Sequence, residues 1–207
     1  MSFFRPLLGG RASASATASR PDRHPVRVRG AAREAAEAAL DGPLVRAYGG
    51  LPSQILGVSI HFEDGGPDPL DSVAVFEHAR GHLHYVGRGL FRFGVPQELT
   101  LRLGRTAATD GPSPVALLNM LARRVLRSQR VFRHGDVWQG PPGVRPGHLA
   151  FAHDPELGTV DTPDGPVTYV QAVVIDAVQH TAILADPGHA ELERLIASDP
   201  LLVSPAL

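Results

Sequence analysis

One pair of histidines in this chain has a spacing that suits metal binding. His82 and His84 lie two residues apart on a predicted strand, so their side chains point to the same face. A His-x-His pair can bind zinc, and His61 lies on the polar face of an earlier predicted strand, with Glu63 two residues further on. No helix-borne HExxH motif and no third ligand at a defined spacing accompanies the pair. The pattern favours a solvated or hydrogen-bonded pair and predicts no zinc, with a metal-dependent hydrolase as the alternative function.

Other catalytic patterns are absent from the sequence. It has no cysteine, no GxSxG motif and no pair of carboxylates at a recognisable spacing, so the usual nucleophiles are missing. Neither a P-loop motif nor a strand-linked GxGxxG motif is present to hold phosphate. The sequence therefore predicts a protein that is not an enzyme and that uses no cofactor.

Arginines, an acid and the sole tryptophan lie close together in the second half of the chain. Four arginines crowd the end of a predicted helix over 114–130, and Asp136 and Trp138 follow in a loop. Positive charge at a helix C-terminus complements the helix dipole, and a tryptophan can simply anchor its loop, so both features have structural alternatives. Mixed charge around an aromatic also suits a protein-binding surface, where charges steer encounter and the aromatic makes the central contact. By proximity, the candidate partner-binding residues are Arg124, Arg127, Trp138 and His153.

The charge distribution argues against nucleic-acid binding. All 20 basic residues are arginines, and the formal net charge is -1. Residues 1–30 carry six arginines and one aspartate, which leaves 14 arginines against 20 acidic residues in the remainder. An acidic body is a poor surface for a phosphate backbone. The absence of cysteine allows a reducing compartment, and we expect a cytoplasmic protein.

The first 30 residues are predicted to be a disordered, Arg/Ser-rich tail. Their apolar start is interrupted by Arg5 and Pro6, which makes it too short for a signal-peptide core or a membrane span. An Arg-rich, Ser-rich and acid-poor composition is also typical of an organellar transit peptide, which stays open as an alternative. With 207 residues in total, residues 31–207 suit one domain.

One fold prediction concerns residues 154–176. Asp164 and Gly165, with a proline on either side, predict a turn, and the strand that follows over 167–175 is apolar on both faces from Ala172 onward. A strand that is apolar on both faces must be covered on both, so we expect it at the centre of a sheet. The whole pattern predicts an α+β domain with a mixed or antiparallel central sheet flanked by helices.

The remaining elements follow from periodicity and capping residues. A helix over 31–40 is expected to end at Asp41-Gly42-Pro43, and a last helix is expected to begin at Asp186-Pro187. The 114–130 helix should begin at Ser113-Pro114 and pack on the sheet through Leu117, Leu121 and Val125. In the strand over 97–103, leucines alternate with Glu98, Thr100 and Arg102, the pattern of an amphipathic strand. Other strands are predicted over 57–62, 72–78, 82–87 and 148–153.

Several stretches of the chain occur in the order expected of the Suppressor of fused family. They are GGPDPLD (65–71), HLHY (82–85), ELTLRL (98–103), LARRVLRSQRVFRHGD (121–136), DPELGTVDTPDGPVTYVQ (154–171) and DPLLV (199–203). The resemblance covers about residues 31–207, and the chain looks like a bacterial member made only of the domain that forms the amino-terminal half of the animal protein. It implies a mixed α/β domain with a central sheet, no known catalytic activity, and work done by binding another protein. In animals that partner is a Gli-type transcription factor held as an added strand between two domains, and bacterial relatives are linked with toxin systems as immunity proteins.

The resemblance also bears on the binding residues. In the animal pattern an acid after the long helix helps to hold the partner peptide, and this chain keeps it as Asp136. Where that pattern has LARY this chain has Arg124, where it has Glu-Asp-Pro this chain has His153, and where it has HWHY this chain has Leu83. Because two of the three matched binding positions differ, a Gli-like peptide is not the expected ligand.

The expected function is a non-enzymatic protein-binding module that sequesters or neutralises a protein partner, such as a toxin or a regulatory client. We expect neither nucleic acid nor a membrane to be involved. The candidate partner-binding residues are Arg124, Arg127, Asp136, Trp138 and His153.

Overall fold

A computed structural model describes residues 31–57, 69–105, 113–141, 143, 145–205 and 207. The tail predicted over 1–30 and the predicted strand residues 58–62 lie outside these residues, as do His61 and Glu63. Within the described part, one mixed sheet is flanked by helices, so the predicted α+β class is confirmed.

Among the described residues the sheet has eight strands, of which seven form a continuous path in the order β1-β2-β3-β4-β8-β6-β5. The strands are β1 (Gln54–Gly57), β2 (Ser72–Glu77), β3 (His82–Arg88), β4 (Gln97–Gly104), β5 (Val137–Gln139), β6 (His148–His153), β7 (Thr159–Thr162) and β8 (Gly165–Val174). Neighbouring strands are antiparallel except β4 and β8, which are parallel. β8 lies between β4 and β6 and is mostly buried, so the predicted central strand is confirmed.

The predicted hairpin is confirmed, and its turn lies one residue earlier than the predicted Asp164-Gly165. Thr162 pairs with Gly165, so Pro163 and Asp164 form a two-residue loop. Gly165 has a φ of 114°, a conformation that glycine adopts without a steric penalty. The turn therefore sets the register in which β8 enters the sheet.

The amphipathic prediction for β4 is right about the alternation and wrong about exposure. Its leucines lie in the core cluster that also contains the buried leucines of the 114–128 helix. Glu98, Thr100 and Arg102 lie on the other face, and all three are buried as well. β4 is an internal strand that is covered on both faces, so even its polar side chains are shielded from water.

Four helices cover the two faces of the sheet in the part of the chain that the structure describes. They are α1 (Ala31–Tyr48), α2 (Pro114–Ser128), α3 (Ala177–Ala185) and α4 (Ala190–Ser198). α2 contacts β3 and β4 on one face, and its Leu117, Leu121 and Val125 are buried, which confirms the predicted packing. On the opposite face, α1 packs in one apolar cluster, and α3 and α4 pack in another.

The end of α1 differs from the prediction, because the helix continues through Asp41-Gly42-Pro43 to Tyr48. Leu40 and Leu44 are one helical turn apart, and both are buried in the cluster that α1 shares with β2 and β8. Packing of this apolar face outweighs the backbone hydrogen bond that a proline within a helix removes. The extension matters because it brings Tyr48 over the sheet.

The C-terminal region contains two helices where one was predicted. Asp186-Pro187, the predicted start, lies directly after α3, and α4 begins at Ala190. α3 has a capping box: Asp176 accepts from the Gln179 backbone N–H at 2.8 Å, and the Gln179 side chain accepts from the Asp176 N–H at 2.9 Å. The Asp-x-x-Gln signal was present in the sequence, but α3 lacks the charged face that makes a surface helix easy to recognise.

The start of α2 allows a direct test of capping. Ser113 Oγ accepts a hydrogen bond from the Ala116 backbone N–H at 3.2 Å. Ser113→Ala is expected to lower the free energy of unfolding by about 1 kcal/mol, because this N–H loses its partner. Urea denaturation measures the change. Ser198→Ala at the end of α4 is the control and should stay within about 0.5 kcal/mol of the native protein. An unchanged Ser113→Ala protein would contradict the role of the cap.

Candidate functional site

Three of the five predicted partner-binding residues line one groove between α2 and β5. Arg124 and Arg127 are exposed on the outer side of α2, and Trp138 projects from β5 with 8% of its surface exposed. The groove has a volume of about 1030 Å³, and Leu121, Met120 and Trp138 give it an apolar lining. The leucine stripe of α2 faces the sheet, so the arginines between those leucines remain on the solvent side.

Asp136 lies in a smaller hollow beside this groove. The hollow has a volume of about 230 Å³, and Arg124 and Trp138 line both spaces. The Asp136 carboxylate accepts a hydrogen bond from the Arg133 backbone N–H at 2.8 Å, so it also fixes the turn that precedes β5. The predicted acid therefore lies next to the predicted arginines and has a local structural role as well.

The loop that carries Asp136 is held against the sheet on its other side. Gln97 of β4 donates to the Phe132 carbonyl and accepts from the Phe132 N–H, both at 3.1 Å. The rings of Phe132 and Phe151 stack with centroids 3.8 Å apart. These contacts place the loop after α2 in a defined position, so the hollow around Asp136 is preformed.

His153 is placed apart from the other four residues. It is exposed at the end of β6, and it is absent from the described residues that line the groove and the hollow. Its backbone N–H donates to His134 Nδ1 at 3.4 Å, and His134 Nε2 lies 2.9 Å from Glu193 Oε1. The structure thus brings together Arg124, Arg127, Asp136 and Trp138 and leaves His153 on a neighbouring surface.

β5 is an edge strand, and among the described strands it pairs with β6 alone. The Gly140 N–H donates to the Gly147 carbonyl at 2.8 Å at the end of this pair. Hydrogen-bonded positions alternate along an antiparallel strand, so Trp138 is the next residue that bonds to β6. Val137 and Gln139 therefore direct their N–H and C=O groups away from β6, at the open edge beside the groove. An edge of this kind can accept a further strand.

A second polar centre, which sequence reasoning missed, is buried beneath α1. Arg102 is fully buried and makes a bidentate pair with Asp154, with Nη1 3.0 Å from Oδ2 and Nη2 2.9 Å from Oδ1. Nη2 also lies 2.9 Å from Glu156 Oε2. Asp154 accepts two further hydrogen bonds from backbone N–H groups, of Glu156 and Leu157, each at 3.0 Å. Together these contacts hold the loop after β6 against β4.

The predicted histidine pair belongs to this buried centre. Both His82 and His84 are almost entirely shielded from solvent, so the pair is not solvated. His84 Nδ1 is hydrogen-bonded with the Tyr48 hydroxyl, and His84 Nε2 lies 3.1 Å from Asp154 Oδ2. The His82 ring stacks on His78 with centroids 4.3 Å apart. Both nitrogens of His84 therefore face protein groups, which leaves the hydrolase alternative without an open ligand on that residue.

Burial sets the direction of the pKa shift for the two histidines of the centre, and charged partners set it for Asp154. It lowers the pKa of His82 to about 4, with the charges of His78 and Arg102 acting in the same direction. Burial also lowers the pKa of His84, and Arg102 lowers it further. For Asp154, burial alone would raise the pKa, but His84 and Arg102 hold it well below its usual range. The centre is therefore a neutral histidine pair beside an ionised Arg102–Asp154 pair.

In the ranges that the structure describes, no group of three or more histidine, aspartate or glutamate side chains is arranged to hold a metal ion. None of the described helices is long and apolar enough to cross a membrane.

Comparison with known proteins assigns the fold to one family. The family model described as "Suppressor of fused protein (SUFU)" matches residues 66–204. The human Suppressor of fused homolog is 29% identical over 201 residues, which covers 80% of this chain and 42% of the relative, and the mouse homolog gives the same values. This chain thus spans less than half the length of the curated relatives it matches.

Solved structures agree with this assignment at the level of fold. A crystal structure of the Sufu-Fu complex matches with a TM-score of 0.63 and 22% identity, over 83% of this chain and 89% of the other. Drosophila Suppressor of Fused matches with a TM-score of 0.65 and 23% identity, over 83% of this chain and 50% of the other. Since the family model matches well over half of the sequence, the chain belongs to the Suppressor of fused family.

Proposed function

We propose that this protein is a non-enzymatic protein-binding module that sequesters or neutralises a partner, and that it binds this partner through the α2–β5 groove. The observation that carries the proposal is the convergence of Arg124, Arg127 and Trp138 on one groove, with Asp136 in the adjoining hollow. A preformed groove that combines an aromatic, an apolar lining and charged groups is typical of a protein-binding surface.

The family supports a protein partner in general terms. One solved relative is Sufu in a complex with Fu, so the fold can bind another protein. The partner of this chain is a separate proposal, because the chain spans 42% of the curated relatives and carries Arg124 and His153 at positions where the animal pattern differs. We propose that the partner is a toxin made in the same cell, against which this protein acts as an immunity protein.

The edge of β5 suggests how a partner segment would be held. Val137 and Gln139 direct their backbone groups away from β6, and a segment that lies along them can form main-chain hydrogen bonds while its side chains enter the groove. Main-chain bonding supplies affinity, and the contacts with Trp138 and the arginines supply specificity.

The experiment is co-purification of the full chain from its native cell, followed by mass spectrometry and reconstitution with the purified partner. Asp136→Asn keeps an acceptor for the Arg133 N–H and removes the charge, so it tests the carboxylate without loss of the turn. Arg124→Glu tests the groove. Arg80→Glu is the control, because Arg80 lies in the turn before β3, and three strands separate β3 from β5.

We expect one protein partner that binds the native chain and Arg80→Glu equally and binds Arg124→Glu at least about tenfold more weakly. A partner that binds all variants equally would contradict the groove as the binding site. The absence of a specific partner would contradict the protein-binding function. For the immunity role, expression of the partner alone should stop growth, and co-expression of this protein should restore it. Normal growth with the partner alone would exclude a toxin.

A further inference from the structure

Arginines are concentrated in the α2–β5 groove, on a molecule whose body is acidic. The charged residues among its described lining are Arg123, Arg124 and Arg127, and none of the described lining residues is acidic. Arg130 adds a fourth positive charge in the adjoining hollow. Outside the first 30 residues the chain carries 14 arginines against 20 acidic residues, so the clustering runs against the overall charge. A local field of this kind attracts a ligand of opposite charge and repels a basic one.

The hollow beside the groove contains two arginines and offsets only part of the positive charge. Asp136 is its acidic residue among those that the structure describes, and the Asp136 carboxylate accepts the Arg133 backbone N–H. Arg124 lines both spaces, so it can meet a ligand from either side. A partner segment that enters the groove therefore meets guanidinium groups on the α2 side and backbone groups on the β5 side.

The spacing of the arginines sets the spacing of the charges that would match them. Arg124 and Arg127 are three residues apart on a helix, which places their Cβ atoms about 5–6 Å apart. In an extended segment, side chains two residues apart lie on the same side and are separated by roughly 6.6 Å. An extended segment with carboxylates at positions i and i+2 can therefore present one to each arginine, and the residue between them points the other way.

The lining of the groove adds an apolar requirement. Leu121, Met120 and Trp138 line the same space as the arginines. Methionine adapts to irregular shapes, and the exposed edge of the Trp138 ring, 8% of the residue's surface, adds a rigid apolar contact. A segment that satisfies both parts of the groove carries an apolar side chain next to its pair of acids.

Resting on the proposed function, we propose that the partner is recognised through an acidic segment. In this segment, two carboxylates spaced at i and i+2 meet Arg124 and Arg127 while a neighbouring apolar side chain packs on Trp138. The groove then selects against basic segments, because they would place like charges next to the arginines.

An unbiased selection tests this proposal without knowledge of the natural partner. The full chain is used to select from a displayed library of random nine-residue peptides, and Arg124→Glu/Arg127→Glu is used in parallel. We expect Asp or Glu to be enriched at two positions separated by one residue for the native chain, and Lys or Arg for the double variant. Arg80→Glu should select the same peptides as the native chain. Selection of neutral or basic peptides by the native chain, or acidic peptides selected equally by the double variant, would overturn the proposal.

The sole tryptophan provides a direct binding signal, because Trp138 lines the groove. A selected peptide, added to the full chain, should change the fluorescence of Trp138, and the same peptide with glutamine in place of both acids should bind at least about tenfold more weakly. Its affinity should fall as salt is raised, since exposed charges are screened. Equal affinity of the acidic and amide peptides would refute the need for carboxylates in the partner segment. It would not contradict the proposed protein-binding function. The binding module itself fails only when the co-purification yields no specific partner.

Discussion

Replacement of Arg102 by methionine is expected to lower the free energy of unfolding by roughly 3–5 kcal/mol. The Arg102 guanidinium lies within 3.0 Å of both oxygens of Asp154, and the side chains of both residues are fully buried. Methionine keeps much of the apolar stem and removes the charge, so Asp154 is left as a buried carboxylate that has lost its main counter-charge. Desolvation of that charge is what destabilises the variant, because the folded state no longer compensates it.

Urea denaturation followed by circular dichroism measures the change, and two further variants make the result specific. Arg105→Met removes an arginine just beyond the end of the same strand, where the arginine is exposed beside Glu77, and it should cost less than about 1 kcal/mol. Arg102→Met/Asp154→Asn removes both charges and should be more stable than the sum of the single effects predicts. Strict additivity of the two substitutions, or a loss below about 1 kcal/mol for Arg102→Met, would show that the pair is not coupled as the structure indicates.

Glu98→Gln is expected to make the stability strongly dependent on pH between about 7 and 4.5. Burial raises the pKa of Glu98 to about 7, although the backbone N–H groups of Phe91 and Gly89 act against this rise. The folded state thus binds a proton that the unfolded state has released, so acidification through this range stabilises the native protein through Glu98. His82 has the opposite effect on stability. Burial lowers its pKa from 6.5 to about 4, so on acidification the unfolded state binds the extra proton and the native protein is destabilised.

In the native chain, the stabilisation that acidification gives through Glu98 therefore offsets the destabilisation that it gives through His82. Glu98→Gln removes the stabilising effect and leaves that of His82. Each pKa unit corresponds to about 1.4 kcal/mol, so His82 alone should lower the free energy of unfolding of Glu98→Gln by roughly 3 kcal/mol over this range. His84, whose pKa is also lowered by burial, adds to the loss. The stabilisation from Asp154 is constant over this range and is lost only below about pH 4, because its folded pKa is depressed.

Denaturation curves recorded at intervals from pH 7 to 4.5 provide the measurement. The native chain should show a much flatter dependence than Glu98→Gln, and Glu98→Gln/His82→Gln should again be flatter than Glu98→Gln alone. Glu98 now accepts from the Gly89 and Phe91 N–H groups at 3.0 and 3.1 Å, and the amide oxygen of a glutamine side chain at this position can still accept both bonds. The substitution therefore changes charge more than packing. Parallel curves for the native chain and Glu98→Gln would mean that Glu98 keeps an ordinary pKa.

Features that depend on local pattern could be predicted from the sequence. The hairpin before β8, the buried middle of β8 and the leucine stripe of α2 each follow from turn chemistry or periodicity, and all were confirmed. The position of Arg124, Arg127 and Asp136 near Trp138 also follows from short sequence separation. His153 lies at the end of a different strand, so proximity in sequence gave no guide to its distance from the groove.

Features that depend on tertiary packing could not be predicted in the same way. Glu98, Thr100 and Arg102 have the alternation of a solvent-facing side, and only the strand order shows that a buried layer covers them. The Arg102 side chain bonds to Asp154 and Gln171, which lie 52 and 69 positions away in the chain, and no local rule connects such residues.

The end of α1 also depends on tertiary packing. The helix continues past Pro43 because Leu44 packs on distant strands, which helix propensity alone does not predict.

The parallel contact between β4 and β8 has a consequence for how the chain reaches its native state. β1 to β4 follow one another as an antiparallel meander, so this half of the sheet can pair as soon as it is made. Among the described strands β8 alone joins that half to β6 and β5, and its Thr168 pairs with Gln97, far earlier in the chain. Closure of so long a loop carries a high entropic cost and slows folding. Until β8 has been synthesised and inserted, β4 remains an open edge, and that edge is the point at which a nascent chain is most exposed to mispairing.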